Sequence, residues 1–235
     1  MKRIGIIGAM DVEVDILKKE MTIDVIENHA GLAFYVGTWQ EKPVVVVRSG
    51  IGKVNAALCT QILADQYDIG LVINTGVAGA LADGLRVGDI VISTDAIEHD
   101  MDTTHLGDTI GWVPGMDVRA FPADRELSNL ALAAGRDVLP HLHLIQGTIL
   151  SGDQFIDDPA KKHWLKETFS GACCEMEGAS IAHVAHVNKI PYLVLRGISD
   201  NADGSAGITY EEFLGAAVIN ITDLVREVVG RLLLL

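Results

Sequence analysis

Short β-branched runs alternate along the chain with segments that have the length and apolar spacing of helices. The runs predict strands at residues 4–7, 44–47, 71–74, 90–93, 143–150, 172–175 and 192–198. The helical patterns cover residues 12–20, 54–67, 124–137, 159–169, 178–188 and 210–233. No linker, repeat or low-complexity tract separates these elements, so we expect one domain over residues 1–235.

Several predicted strands are apolar along their whole length, as in the four consecutive valines at 44–47. Such strands suit a sheet that is covered on both faces, and alternating strands and helices imply right-handed crossovers. Between residues 22 and 48, three strand-like runs follow one another without a helix, which predicts an antiparallel meander. The pattern therefore predicts an α/β fold, a three-layer α/β/α sandwich around a central mixed sheet.

Composition narrows the classes of function. The 235 residues include 18 basic and 32 acidic side chains, a formal net charge of −14, and 49% are hydrophobic. This apolar content indicates a folded chain, and the negative charge disfavours binding to nucleic acid or to an anionic membrane. A small uncharged ligand remains compatible.

Compartment follows from the cysteines and from the N-terminal segment. Cys59, Cys173 and Cys174 are an odd number, and two of them are adjacent, so a reducing cytoplasm is expected. The acidic residues that follow residue 10 disfavour a signal peptide. No apolar run reaches the roughly 18 residues that span a bilayer, so we expect a soluble protein.

Glycines cluster at the ends of predicted strands, at positions 5 and 8, 50 and 52, 76 and 79, and 152. Glycine allows close approach of a ligand to the backbone, and open α/β sheets bind ligands beyond the carboxyl ends of their strands. Tight turns alone are the alternative for some of these glycines. Residues 50–55 (Gly-Ile-Gly-Lys-Val-Asn) lack the third glycine of a dinucleotide site and the Ser or Thr of a P-loop.

Five carboxylates stand beside these strand ends: Glu13, Asp153, Glu175, Glu177 and Asp200. Any one of them could be a helix cap, and this interpretation stays open for Asp153 and Glu175. Several carboxylates at one crevice would raise one another's pKa, which suits general acid and base chemistry. The chain has no Gly-x-Ser-x-Gly nucleophile elbow.

Histidines give a weaker signal. His183 and His186 share one helix face, but the apolar residues around them favour a packed helix over a metal site. His99 and His105 lie in a polar loop, where contact with a ligand and simple solvation are both open. We expect neither a metal nor a cofactor.

Six motifs carry a resemblance to a known family. They are Gly-Ala-Met-x-x-Glu at 8–13, Ser-Gly-Ile-Gly-Lys-Val-Asn at 49–55, Asn-Thr-Gly-Val-Ala-Gly at 74–79, Ser-Gly-Asp-Gln-Phe at 151–155, Glu-Met-Glu-Gly at 175–178 and Arg-Gly-Ile-Ser-Asp at 196–200. In this order the chain resembles the 5′-methylthioadenosine/S-adenosylhomocysteine nucleosidases, a hydrolase branch of the nucleoside phosphorylase fold. The resemblance extends to about residue 213.

The resemblance implies hydrolysis of the N-ribosyl bond of a purine nucleoside, without a cofactor. It makes Asp200 the acid that protonates the adenine and Glu13 the base that activates water, with Arg196 orienting the site. Glu177 would bind the ribose hydroxyls. The implied substrate-binding residues are Ile51, Val77, Ala78, Gly79, Leu106, Phe155, Ile156, Glu175, Met176, Ser199, Tyr210 and Phe213.

Within that set, Phe155 would stack on the adenine, the Ile156 backbone would pair with its edge, and Met176 would lie under the ribose. Tyr210 and Phe213, with Ile51, would shape an apolar 5′-thio pocket, although packing of a helix face is the alternative for the two aromatic residues. The family also implies a homodimer in which the 101–114 loop, including residue 106, completes the partner's pocket.

Three alternatives stay open. Many relatives carry serine where this chain has Val77, which leaves the substrate preference open. Hydrolysis of 6-amino-6-deoxyfutalosine, another use of the same scaffold, is one alternative. A phosphorylase would need a cluster of basic residues, and its phosphate would be repelled by Glu13. A nucleoside-binding protein without activity would not require both an acid and a base.

Overall fold

The computed structural model describes residues 2–202 and 206–232. The strands are β1 (Arg3–Gly8), β2 (Thr22–His29), β3 (Leu32–Trp39), β4 (Lys42–Arg48), β5 (Ile69–Ala80), β6 (Ile90–Glu98), β7 (Phe121–Pro122), β8 (Leu144–Ser151), β9 (Cys173–Glu175) and β10 (Tyr192–Asp200). The helices are α1 (Asp11–Glu20), α2 (Lys53–Gln66), α3 (Arg125–Val138), α4 (Pro159–Phe169), α5 (Gly178–Val187) and α6 (Ala206–Arg231), with a short 3-10 helix at Thr104–Leu106.

The strands form one mixed sheet in the order β10-β6-β8-β9-β5-β1-β4-β3-β2, with β7 beside β6. Strand β10 also pairs with β5, so five strands at one end of the sheet close into a ring. At the other end, β2, β3 and β4 form the antiparallel meander that the sequence predicts. The ring brings the ends of β5, β9 and β10 together.

Helices cover both faces of this sheet, which confirms the predicted three-layer sandwich. Helices α2 and α5 contribute Leu63 and Ala182 to one apolar core, and α1, α3 and α6 line the other. Successive residues of β4 face opposite sides, so Val45 lies in the first core and Val46 in the second. Burial on both faces of the sheet therefore explains why β4 contains four consecutive valines.

Two predicted boundaries were wrong in a way that matters for the site. Strand β5 extends through Gly76 and Gly79, which therefore lie inside a strand and not in a turn after it. Strand β10 likewise continues to Asp200. Both strands run on because they pair with each other over this length, although glycine is a weak strand former.

Helix α6 begins before the predicted position 210, and residue 233, the predicted end, lies outside the described residues. Within the two described ranges, no helix combines the length and the apolar character required to cross a bilayer.

Candidate active site

A cavity of about 390 Å³ opens where β5, β9 and β10 end beside the N-terminus of α1. The residues that line it are Ala9, Met10, Glu13, Ile51, Val77, Ala78, Gly79, Gln154, Phe155, Ile156, Cys174, Glu175, Met176, Glu177, Ser199, Asp200 and Tyr210. All but three of the predicted site residues are among them. The structure thus brings together carboxylates that are as much as 187 positions apart in the chain.

Glu13 lies in the first turn of α1 and points back toward the start of its own helix. Its Oε2 accepts hydrogen bonds from the amides of Ala9 (2.7 Å) and Met10 (2.9 Å), and its Oε1 accepts one from Val77 (3.2 Å). A carboxylate in this position complements the unpaired N–H groups of the helix. Burial nevertheless raises the pKa of Glu13, against the opposing charge of Arg196.

Arg196 lies beneath the carboxylates, with 1% of its surface exposed. Its Nη2 donates to Oδ1 of Asn74 (2.5 Å) and to Glu175, and lies 3.9 Å from Oε2 of Glu177. The surrounding carboxylates outweigh the cost of burial and raise the pKa of Arg196, which stays charged. Arg196 does not line the cavity, so its role in the structure is to hold the acidic groups that do.

Glu175 confirms the helix-cap interpretation that the sequence left open. Its carboxylate accepts hydrogen bonds from the amides of Glu177 (3.1 Å) and Gly178 (2.9 Å) at the start of α5. Ser151 donates a further hydrogen bond to it. Glu175 therefore fixes the turn that carries Glu177 and at the same time neutralises part of the charge of Arg196.

Glu177 stands at the N-cap of α5 and is 6% exposed. Its Oε1 accepts a hydrogen bond from the amide of Gly52 at 2.9 Å. Burial and the neighbouring charge of Glu175 raise the pKa of Glu177 to about 8, although Arg196 opposes the shift. A positive charge that develops in the cavity would therefore stabilise the ionised form of Glu177.

Asp200 is aimed into the cavity by a bulge at the end of β10. Ile198 is paired with Ala78 and Asp200 with Gly79, so the extra residue, Ser199, interrupts the register. Oδ2 of Asp200 accepts a hydrogen bond from the Ser199 hydroxyl (2.9 Å), and Oδ1 accepts one from the amide of Ala202 (2.8 Å). The serine hydroxyl and the Ala202 amide thus hold the Asp200 carboxylate in one orientation.

Apolar side chains form the outer wall of the cavity. The rings of Phe155 and Tyr210 meet edge to face at 5.9 Å, and the Tyr210 hydroxyl lies 3.2 Å from Sδ of Met10. Phe155 is 53% exposed and lines the cavity, so part of its ring surface is open to contact with a planar ligand. The site therefore has an acidic floor and an apolar, partly aromatic wall.

Two predicted substrate-binding residues lie outside this lining. Leu106 is 81% exposed in the loop that contains the 3-10 helix, and Phe213 is 38% exposed on α6. The lining also contains Ala9, Met10, Gln154 and Cys174, which were not predicted as site residues, although the first three lie inside the motifs that carry the resemblance.

His183 and His186 pack against Phe121 and bond to carboxylates of other segments. His183 bonds Oε1 of Glu98 through Nδ1 (2.9 Å), and His186 bonds Oδ1 of Asp117 through Nε2 (2.9 Å). His99 is buried, and its ring nitrogens have no hydrogen-bond partner among the described residues. In that same part of the chain, no group of three or more His, Cys, Asp or Glu side chains is arranged to hold a metal ion.

Comparison with known proteins agrees with this geometry. Residues 3–230 match the family model described as the phosphorylase superfamily. A 5′-methylthioadenosine/S-adenosylhomocysteine nucleosidase of Psychromonas ingrahamii is 42% identical over 98% of this chain and 99% of its own. The chain belongs to this nucleosidase family of the phosphorylase superfamily. The resemblance in the sequence motifs is thereby confirmed.

Solved structures of the superfamily extend the comparison. The Neisseria meningitidis nucleosidase of this family, in complex with methylthio-immucillin-A, has a TM-score of 0.95 and 36% identity, covering 99% of this chain and all of that one. The futalosine hydrolase of Helicobacter pylori has a TM-score of 0.93 and 31% identity, covering 98% of both chains. The predicted fold type is therefore confirmed, and both kinds of hydrolase share it.

Proposed function

We propose that the protein hydrolyses the N-ribosyl bond of 5′-methylthioadenosine and S-adenosylhomocysteine and releases adenine and the 5-thioribose product. Membership of the nucleosidase family supports this activity, as does the similarity to a structure bound to methylthio-immucillin-A. In the cell, the reaction would serve methionine salvage and the recycling of methyl-transfer products.

One observation carries the proposal: the carboxyl groups of Glu13, Glu175, Glu177 and Asp200 surround one cavity, while Arg196 lies beneath it. Cleavage of an N-ribosyl bond develops positive charge on the sugar. The carboxylates stabilise this charge. Because the charge is larger in the transition state than in the bound substrate, this stabilisation accelerates the reaction. The positive charge of Arg196 is paired with Glu175, and Oε2 of Glu177 lies 3.9 Å from the same guanidinium group.

Asp200 supplies the proton to the departing base. As the C–N bond breaks, its electron pair moves to the adenine, and a nitrogen of the imidazole ring takes the proton from Asp200. The hydrogen bonds from Ser199 and from the amide of Ala202 hold the carboxyl group in one orientation. General acid catalysis of this kind accelerates a reaction by about 10²–10⁴-fold.

Glu13 is the base for the attacking water. Three backbone amides fix its carboxylate, and the pKa raised by burial gives it a greater affinity for the proton that the water loses. The hydroxide equivalent then attacks the anomeric carbon, and Glu177 binds the ribose hydroxyls beside it. Glu13 also disfavours a phosphorylase reaction, since its charge repels a phosphate ion at this position.

The walls select the remainder of the substrate. Phe155 stacks on the adenine, the backbone of Ile156 pairs with its edge, and Met176 lies under the ribose. Ile51 and Tyr210 offer apolar surface to the 5′-thio substituent. Both side chains are uncharged, which suits an alkylthio group.

The similarity to futalosine hydrolase favours a second candidate substrate, 6-amino-6-deoxyfutalosine, in menaquinone synthesis. The two reactions break the same bond and would use the same acid and base. They differ in the 5′ substituent, which is the part of the substrate that Val77 and the 101–114 loop would influence.

We also propose that the functional unit is a cytoplasmic homodimer. Ile51, Val54, Leu58 and Leu106 are exposed apolar side chains, with Val54 at 78% and Leu106 at 81%. Isolated apolar side chains are common on surfaces, but several beside a ligand cavity favour a protein interface. In the dimer, Leu106 would close the 5′ pocket of the partner.

The proposal is tested by measuring free adenine after addition of 5′-methylthioadenosine, with and without phosphate. We expect release without phosphate. Release only in the presence of phosphate would identify a phosphorylase, and binding without release would identify a binding protein. Comparison with S-adenosylhomocysteine and 6-amino-6-deoxyfutalosine then ranks the substrates by kcat/KM.

A further inference from the structure

A group of charged side chains outside the cavity links two of its walls. Nζ of Lys53 lies 2.7 Å from Oδ1 of Asp100 and 2.9 Å from Oε2 of Glu98, and all three side chains are largely buried. Burial alone would raise the pKa of Asp100, but the hydrogen bonds from Lys53 and from the amide of Asp153 hold it below its usual value. Lys53 therefore forms ion pairs with Asp100 and Glu98 inside the protein.

The same residues form a closed ring of hydrogen bonds. Oδ2 of Asp100 accepts from the amide of Asp153 (2.9 Å), and Oδ1 of Asp153 accepts from the amide of Lys53 (2.8 Å). Lys53 closes the ring through its ammonium group on Asp100. Asp153 thus caps the first turn of α2 from another segment, and Asp100 holds Asp153 in that position.

Each side of this ring is adjacent to a group that lines the cavity. On one side, Lys53 follows Gly52, whose amide donates to Glu177. On the other side, Asp153 precedes Gln154, Phe155 and Ile156, which form the wall proposed to bind the base. Gly52 has φ of +98°, and a Cβ atom there would lie 3.0 Å from Oδ1 of Asp153. The turn at Gly52 and the Asp153 carboxylate are therefore in close contact.

We propose that Lys53 and Asp100 are positioning residues that lock the base-binding segment 152–156 onto the turn that holds Glu177. This inference rests on the proposed function for the identity of the base. Neither Lys53 nor Asp100 lines the cavity, so the ion pair acts by fixing the separation between the adenine wall and the ribose-binding carboxylate. Substrate binding would depend on it more than the chemical step does.

We call this link between Lys53 and Asp100 the clamp. Three variants test it: Asp100→Ala, Lys53→Met and the double variant. Asp137→Ala is the control. Asp137 pairs with Arg231 at 2.8 Å on an exposed surface, so its loss removes a carboxylate without touching the cavity. In the free protein, we expect Asp100→Ala to speed amide hydrogen exchange in residues 152–156 by at least about tenfold, since it removes a charge-assisted hydrogen bond. Asp100→Asn should move exchange in the same direction by less, and it serves if the alanine variant does not fold.

Ligand measurements complete the test. For Asp100→Ala we expect KM for 5′-methylthioadenosine and the calorimetric Kd for adenine to rise by about tenfold, with a smaller change in kcat. In the double variant, KM and Kd should rise no further than in the more impaired of the two single variants, because both substitutions break the same ring. Unchanged exchange, or additive effects of the two substitutions, would overturn the clamp. If exchange and adenine affinity respond as expected but the wild type releases no adenine from the nucleoside, the proposed function fails and the clamp stands.

Discussion

Arg196 and Glu13 approach each other across the backbone of Gly76. A Cβ atom on Gly76 would overlap Nη1 of Arg196 and lie 2.5 Å from Oε1 of Glu13. Gly76 is paired with Arg196 in the parallel register of β5 and β10, so the arginine side chain crosses the space that a side chain at position 76 would occupy. The close approach of base and arginine therefore requires glycine at this position.

This relationship predicts the effect of Gly76→Ala. The methyl group must displace Arg196 or Glu13, and we expect kcat to fall at least about hundredfold and the free energy of unfolding to fall by about 1–3 kcal/mol. Gly230→Ala is the matched control, because a Cβ atom at Gly230 in α6 meets open space and alanine favours the helix. Steady-state kinetics and urea denaturation measure both effects. A Gly76→Ala enzyme with kcat within tenfold of wild type would contradict the prediction.

Asp200→Asn tests the acid. Asparagine keeps an oxygen that can accept the hydrogen bond from the amide of Ala202, so folding and ligand binding should be preserved. It cannot donate the proton, and we expect kcat to fall by about 10²–10⁴-fold. Turnover is measured as adenine release, and binding is measured by calorimetry with adenine. Retention of more than a tenth of the normal kcat would show that another group is the acid.

Glu177 makes stability depend on pH. Its pKa is 4.5 as a free group and about 8 when folded, so between these values the folded chain holds a proton that the unfolded chain releases. The free energy of unfolding therefore falls as the pH rises through this window. Glu177→Gln removes the effect and should be more stable than wild type at pH 8, by up to about 4 kcal/mol, but not at pH 4.5.

Urea denaturation at pH 4.5, 6.5 and 8 measures this difference, with exposed Glu167→Gln as the control. The same Glu177→Gln variant should lose activity, because glutamine cannot ionise when positive charge develops on the ribose. Equal stability differences at all three pH values would argue against a buried, protonated Glu177 in the free enzyme.

Leu106→Asp tests the proposed dimer. A charge on this exposed loop residue should weaken an apolar contact with a second copy, shift the sedimenting species toward the mass of one chain, and raise KM for 5′-methylthioadenosine by about tenfold. Ile26→Asp, on the exposed strand β2, introduces the same charge elsewhere. A wild-type protein that sediments as one chain while fully active would rule out the dimer as the functional unit.

Much of the fold could be predicted because it depends on local pattern. The valines of β4 and the apolar spacing of α5 reflect burial, which the sequence records directly. The length of β5 could not be predicted in this way. Its glycines resemble a turn, and pairing with β10 and β9 keeps them in the strand.

The candidate site shows the same division. Motifs in the sequence identified Glu13, Glu177 and Asp200 by residue type and order, and the resemblance supplied their roles. The motifs did not indicate that Arg196 lies beneath the cavity, or that Lys53 and Asp100 join two of its walls. These contacts join residues 21 to 122 positions apart, and no periodicity in the sequence reports contacts of that kind.

The sequence by itself determined the family, the α/β sandwich and the set of acidic residues, because motif order and hydrophobic pattern are properties of the chain. Tertiary structure decided which carboxylate faces the cavity and how each one is held. The bulge at Ser199 turns Asp200 inward, and the register of β5 and β10 sets Arg196 against Gly76. The physical reason is that the pKa and the orientation of a carboxylate depend on burial and on neighbouring charges, which exist only when distant segments are packed together.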